Sequence, residues 1–427
     1  MTEEFLHFIW KNKLFYPENI TSFKGENVSV ISTGIHNYDS GPDFFNAKIK
    51  INETLWAGNV EIHVKSSDWE KHNHHTDQAY NNVILHIVEE YDRPVKMESG
   101  SEPVTVKLNY NRNLLSDFLG MKSNEGKKLC SGKLEKTDAM VLQSWLDRLL
   151  FERIERKSNE ILKILENNQN DWEETFYKVL FRNFGFGKNA LPFELLANSF
   201  SLTLLKKHSG NLPQIEAILF GQSGLPEIYN EKPRYLVSLE KEYFFLKHKY
   251  RLKSIDGYLW KFSKTRPVNF PTIRLAFLAK LINDNGSLFS DIIKTDDILQ
   301  LRELFTVELD GFWKTHYNFT AESLEKTKNL GKEAVNAILI NTIVPVKFSY
   351  YRYYSEPERA EKILQILDQL PPEENSIITN WKKQGIFAEN AAHTQALLQL
   401  SNEYCDLKKC FYCNIGYHLL KTGSPSY

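Results

Sequence analysis

The 427-residue chain carries 53 Lys and Arg against 54 Asp and Glu, a formal net charge of −1, so no global field points to a nucleic-acid, membrane or acidic partner. With 42% hydrophobic and 25% charged residues it reads as globular, which excludes a disordered or fibrous chain. Four Cys are too few for a disulfide scaffold at this length, and no apolar run approaches the ~18 residues of a membrane-spanning helix, so a cytoplasmic protein with no membrane partner is expected.

The first predicted element is a short helix from Glu3 to Phe15. Five β-type runs follow: VSVIST, FNAKIKI, NVEIHVK, NNVILHIVEE and PVTVKLN. Ala47, Ile49 and Ile51 alternate on one run, and Val60, Ile62 and Val64 alternate on the next. Asn52, Gly58 and Asn59 mark turns. From about Lys133 the period changes to three and four, as in VLQSWLDRLLFERIERKSNEILKILENN, which is the mark of amphipathic helices. This texture continues to HTQALLQLSNEY without a fixed-period repeat. The expected fold class is therefore α+β, a small mixed-sheet α/β domain at residues 1–115 and a large helical domain at 134–420. A linker is expected at 116–133 and a disordered tail at 421–427. Nothing in the sequence sets an oligomeric state.

Chemistry concentrates in GPDFFNAKIKINETLWAGNVEIHVK, residues 41–65. Asp43 opens one strand, and Glu61, His63 and Lys65 share a face of the next, opposite the apolar Val60, Ile62 and Val64. Two adjacent strands are an economical way to converge carboxylates on a hard cation, and Glu3 or Glu4 of the first helix could add a third. A polar hairpin facing water is the competing reading. The order helix, strand, Pro42-Asp43, turn, then Glu-x-His resembles the PD-(D/E)XK nuclease superfamily over roughly the first quarter of the chain. That resemblance implies Mg²⁺ or Mn²⁺ held by Asp43 and Glu61, with Lys65 or His63 orienting the attacking water. His63 stands where the family pattern has Lys. The whole chain also resembles an uncharacterised bacterial family of a domain of unknown function, through GPDF, VEIH and the C-terminal Cys pattern.

Behind this pair, SDWEKHNHHTDQAYNNVILH gathers His72, His74, His75, Asp77 and His86. Imidazole and carboxylate together suit Zn²⁺ or Mn²⁺, but no H-E-x-x-H spacing is present. His72 and His75 are expected to face substrate; caps and turns in a polar loop are the plainer reading. The four Cys are Cys130, Cys405, Cys410 and Cys413, the last three in CDLKKCFYC. They satisfy the count for a tetrahedral Zn²⁺ or iron–sulfur staple, and buried free thiols explain them equally well. Nucleases of the recombination and CRISPR-adaptation type carry a similar one-plus-three arrangement, although Cys130 here follows the acidic strands. Residues 232–280 hold 12 Lys or Arg against 3 Asp or Glu, with ten aromatics between them. Such a segment suits phosphate, with Arg266 and Arg274 as the contacts, or it is an aromatic core with a solvated cationic face. The function expected is metal-dependent phosphodiester hydrolysis on DNA or RNA. Two alternatives stand beside it: a non-catalytic nucleic-acid-binding or scaffold protein, and a His-based metal-dependent hydrolase of small substrates.

Overall fold

The computed structural model describes residues 2–18, 20–37, 41–112, 114–115, 130, 134, 137–407 and 409–423, without the side chains of 411 and 420–423. The expected linker at 116–133 falls outside the described residues except for Cys130, and so do residues 424–427 of the expected tail. The chain forms two compact units, Met1–Leu142 with Glu403–Tyr427, and Gln143–Asn402. The C-terminal segment with three of the cysteines thus belongs to the first unit, and the helical unit is narrower than 134–420.

The first unit is a mixed sheet with helices. Helix α1 (Glu3–Lys11) carries Glu3 and Glu4 in its first turn and Lys11 in its last, complementing the helix dipole, and buries Phe5, Leu6, Phe8, Ile9 and Trp10. It ends at Lys11 rather than at Phe15, because Lys13 adopts a left-handed backbone (φ 51°). The strands are β1 (Ile20–Thr21), β2 (Asn27–Ser32), β3 (Ile35–His36), β4 (Phe44–Ile51), β5 (Thr54–Lys65), β6 (Val83–Glu90) and β7 (Val104–Val106). They order as β1-β2-β4-β5-β6-β7, with β3 also paired to β4. Pairings up to β4–β5 are antiparallel, and β5–β6 and β6–β7 are parallel. A two-residue turn at Asn52-Glu53 joins β4 to β5, with Asn52 left-handed (φ 50°), as tight hairpins require. The parallel pair needs a crossover, which residues 66–82 supply with helix α2 (Asp68–Lys71) and two single 3₁₀ turns.

Gly58 and Asn59 do not turn the chain. They lie inside the long strand β5, where Gly58 has a packing role: a Cβ there would sit 2.5 Å from Ile84 Cγ2 and 2.7 Å from Asn82 O. Its missing side chain lets β6 dock in register against β5. The face of the sheet bearing Phe44, Ile49, Val60, Ile62, Leu85 and Ile87 packs with α1.

The second unit is mostly helical, with a short two-strand pairing of Glu308–Leu309 and Lys328–Asn329. Its core includes residues of the helices Trp172–Phe184, Leu212–Gln222, Pro271–Asp284 and Val344–Tyr353. The helix Pro271–Asp284 is buried nearly all round, with Pro271 through Ala279 continuously inside.

Replacing Gly58 with Val is expected to cost about 1–3 kcal/mol, because an inserted side chain meets backbone as well as a neighbouring Ile. Denaturant melts of wild type and Gly58→Val check this; an unchanged midpoint would contradict the close-packing role.

Candidate metal centre

The period-two geometry of β5 puts Glu61 and His63 on the face opposite Val60 and Ile62. Both are buried, at 4% and 1% exposure, so this face does not look into water. The parallel partner and crossover cover it, which is why a strand with polar residues is buried on both sides. Trp69 of α2 is wholly buried and donates its indole N–H to Lys96 O at 3.1 Å. Its ring stands edge-on to those of His63, His74 and His86, walling the site with apolar surface. Just beyond α2, Asn73 takes a left-handed backbone (φ 64°), and the turn after it sends His74 inward and leaves His75 exposed. His86 arrives from β6, paired in register with Glu61. Asp43 precedes β4, and α1 contributes His7.

Distances bind these groups into one cluster. Asp43 Oδ2 accepts from the Ile62 backbone N–H at 2.8 Å, and Asp43 N–H donates to Glu61 Oε2 at 3.1 Å. Glu61 Oε1 lies 3.1 Å from His74 Nε2 and 3.6 Å from His63 Nε2. His63 Nε2 is also 3.1 Å from His72 Nδ1, while His63 Nδ1 is 2.9 Å from His86 Nε2. His7 Nε2 lies 3.1 Å from Asp43 Oδ2. His74 Nε2 is buried and makes no in-line hydrogen bond among the described residues, despite its closeness to Glu61.

Burial, then the charge of Asp43, push the Glu61 carboxyl up to about 9. Burial, then the neighbouring imidazoles, hold His63 well below the ordinary histidine range, and burial depresses His86 and His74 as well. Burial opposes a charge on His7, but the Asp43 carboxylate outweighs it and raises the pKa. Burial also raises Glu3, opposed by His72 and assisted by Asp43, which marks Glu3 as a further neighbour of the cluster.

Neutral imidazoles and a carboxylate in this spacing can hold a divalent cation. Bonds of ~2.0–2.2 Å place neighbouring donor atoms roughly 3.0–3.5 Å apart, close to the separations among His63, His72, His74 and Glu61. Donor atoms of His63, His72 and His74 lie within 4.8 Å of one another. The contact to His86 fixes the His63 ring from its far nitrogen, as an outer partner orients a metal-ligating imidazole. His72 is exposed, so the cluster opens to solvent on that side.

The expected residues separate. Asp43, Glu61, His63 and His72 come together, joined by His74, His86 and His7. Lys65 does not join them: it sits at the exposed end of β5 with its amine 3.1 Å from Glu90, so it is not placed to orient a water at Glu61. His75 is exposed and outside the cluster. The four cysteines are not in disulfides and form no such ligand group among the described residues. Cys410 is pushed up to about 11 by burial, then by Cys413 and Cys130, so three of the four lie within electrostatic reach. Arg266 is exposed, whereas Arg274 is only 5% exposed inside its helix, which removes it from any open basic surface. His7 was hidden by its place on an amphipathic helix; its one signal is a polar residue among the buried Phe5, Leu6, Phe8 and Ile9.

Residues 3–376 match the family model described as a protein of unknown function, DUF2851. The chain belongs to that family. The match spans the whole His–carboxylate cluster and Arg274, and it ends before Cys405. No curated protein and no solved structure matches the chain. In this member of the family no helix among the described residues is long and apolar enough to cross a membrane.

The raised Glu61 carboxyl has a stability consequence in chelator-treated protein. Its folded pKa exceeds its unfolded value, so the folded state binds the extra proton and stability declines as pH rises from about 4.5 towards 9. Glu61→Gln removes that slope and is expected to gain more than about 1 kcal/mol over wild type between pH 5 and 8.5. Urea melts at both pH values check it; parallel pH profiles would contradict it.

Proposed function

We propose that the first unit is a metal-dependent hydrolase of phosphodiesters, with the metal held by His63, His72 and His74 and with Glu61 beside them. The observation that carries this reading is the convergence of donor atoms of His63, His72 and His74 within 4.8 Å of one another, with Glu61 Oε1 3.1 Å from His74 Nε2 and 3.6 Å from His63 Nε2. Imidazole donors suit Zn²⁺ and its first-row neighbours better than Mg²⁺, whose preference is for oxygen. When bound, such an ion supplies Lewis acidity and a water whose pKa falls to ~7.

The chain's own residues supply the rest. His86 orients His63, and Trp69 excludes water from the inner wall. Burial disfavours a charge on His7, but the adjacent Asp43 carboxylate raises its pKa, and a protonated His7 would provide a cation where the nuclease pattern has Lys. Phosphodiesters are favoured as substrate by the order helix, antiparallel strands, crossover and parallel strand, with Asp43 just before β4 and Glu61 on the adjacent β5. DNA or RNA is the natural class.

The test strips the protein with chelator, reloads it with Zn²⁺, Mn²⁺ or Mg²⁺, and measures cleavage of single- and double-stranded DNA and RNA and of bis-p-nitrophenyl phosphate. Turnover is expected with Zn²⁺ or Mn²⁺, falling about 10²-fold or more in Glu61→Gln and in His72→Ala, which alters an exposed side chain. Lys65→Ala is expected to keep wild-type activity, since its amine meets Glu90. Equal turnover in wild type and both site variants would overturn the assignment. Metal binding without turnover would leave a non-catalytic protein, and hydrolysis of the small diester alone a small-substrate hydrolase.

A further inference from the structure

The helical unit holds a buried cation without a counter-charge among the described residues. Arg274 lies on the interior helix Pro271–Asp284 and is 5% exposed. One guanidinium nitrogen, Nη2, donates to Asn269 Oδ1, while Nε and Nη1 are buried without a hydrogen-bond partner among the described residues. No carboxylate among the described residues pairs with it; the Phe186 ring lies 4.0 Å from the guanidinium carbon instead. Burial pulls its pKa down to about 10, the direction expected of a charge waiting for a partner.

The surroundings are built for that partner. Arg274 lines a cavity of about 440 Å³ with apolar walls that include Phe277, Leu330 and Ala337. A second cavity of about 270 Å³ shares Phe186, Arg266 and Asn269 with the first and adds Lys188 and Lys264. The loops that form it are laced together. Lys188 Nζ donates to Lys264 O at 2.6 Å, and Asn189 exchanges hydrogen bonds with the backbone of Lys261 at 2.8 and 3.0 Å. Phe186 is held with φ 42°, a backbone region that a bulky residue enters at a cost, and such strain concentrates at ligand clamps. The carboxylates in the lining, Glu333 and Glu374, are both exposed. Four cations against two solvated carboxylates favour a dianion over a single carboxylate, and the volume suits a small molecule.

We propose that this cavity binds a small phosphomonoester with an apolar or aromatic body, its phosphate on Arg274 and its body against Phe277 and Leu330. The site is independent of the metal centre.

Phenyl phosphate is the probe, with inorganic phosphate, benzoate and phenol beside it. Calorimetry and thermal melts use the full chain in chelator and in a His72→Ala background, so that the metal centre takes no part. Phenyl phosphate is expected to bind and to raise Tm, inorganic phosphate and benzoate to bind about tenfold more weakly, and phenol not to bind. Arg274→Met is expected to weaken phenyl phosphate about tenfold or more and to raise the anion-free Tm, since it removes an unpaired buried charge. Lys264→Ala, on the exposed rim, is expected to weaken binding about threefold with Tm unchanged, and it carries the test should Arg274→Met not fold. Failure of wild type to bind, or unchanged binding in Lys264→Ala together with Arg274→Met, would overturn the site. Benzoate binding as tightly as phenyl phosphate would overturn its phosphate character.

Discussion

Two carboxylates, Asp43 and Glu61, are held side by side in the first unit with no Lys or Arg ion pair among the described residues. In a low-dielectric interior this arrangement is costly unless protons or cations neutralise it. The fold answers with imidazoles: His7 against Asp43, and His63 and His74 against Glu61. Imidazole differs from Lys or Arg because burial readily leaves it neutral, with a lone pair available. Without a metal ion, the further positive charge is a proton on Glu61. A divalent ion would supply that charge and use the same lone pairs.

The scaffold follows from this requirement. A hairpin alone would have left Glu61 and His63 in water; the parallel pairing of β6 and the covering crossover bury them. Gly58 permits the close approach, Trp69 fills the wall, and Asn73 makes the turn that selects His74 over His75. Charge is handled differently in the helical unit. There Arg274 is buried beside Phe186 with two nitrogens unpartnered among the described residues, an excess of positive charge facing a cavity.

Much of the local pattern was legible in the sequence. Alternation placed Glu61 and His63 on one face, the clustering of histidines flagged the crossover, and the change of period near residue 133 separated sheet from helices. What escaped depended on contacts remote in sequence. Period two also put Lys65 with Glu61, but four residues along a twisted strand carry it to the solvent end, where Glu90 takes it. Gly58-Asn59 has the composition of a turn, and only the presence of Ile84 shows that the glycine serves close packing. His74 and His75 are adjacent, and a single left-handed residue before them decides which one enters the site. Arg274 looked like a surface cation in a basic segment, yet its helix is apolar nearly all round. The grouping of residues 403–427 with the first unit has no local signature.

His63, His72 and His74 are proposed to form a metal site. A crystal of chelator-stripped protein soaked in Zn²⁺ and measured at the zinc absorption edge tests it most directly. One strong anomalous peak is expected ~2.0–2.2 Å from His63 Nε2 and His72 Nδ1, with His74 and Glu61 completing the sphere. A peak only at the cysteines, or none at all, would contradict it.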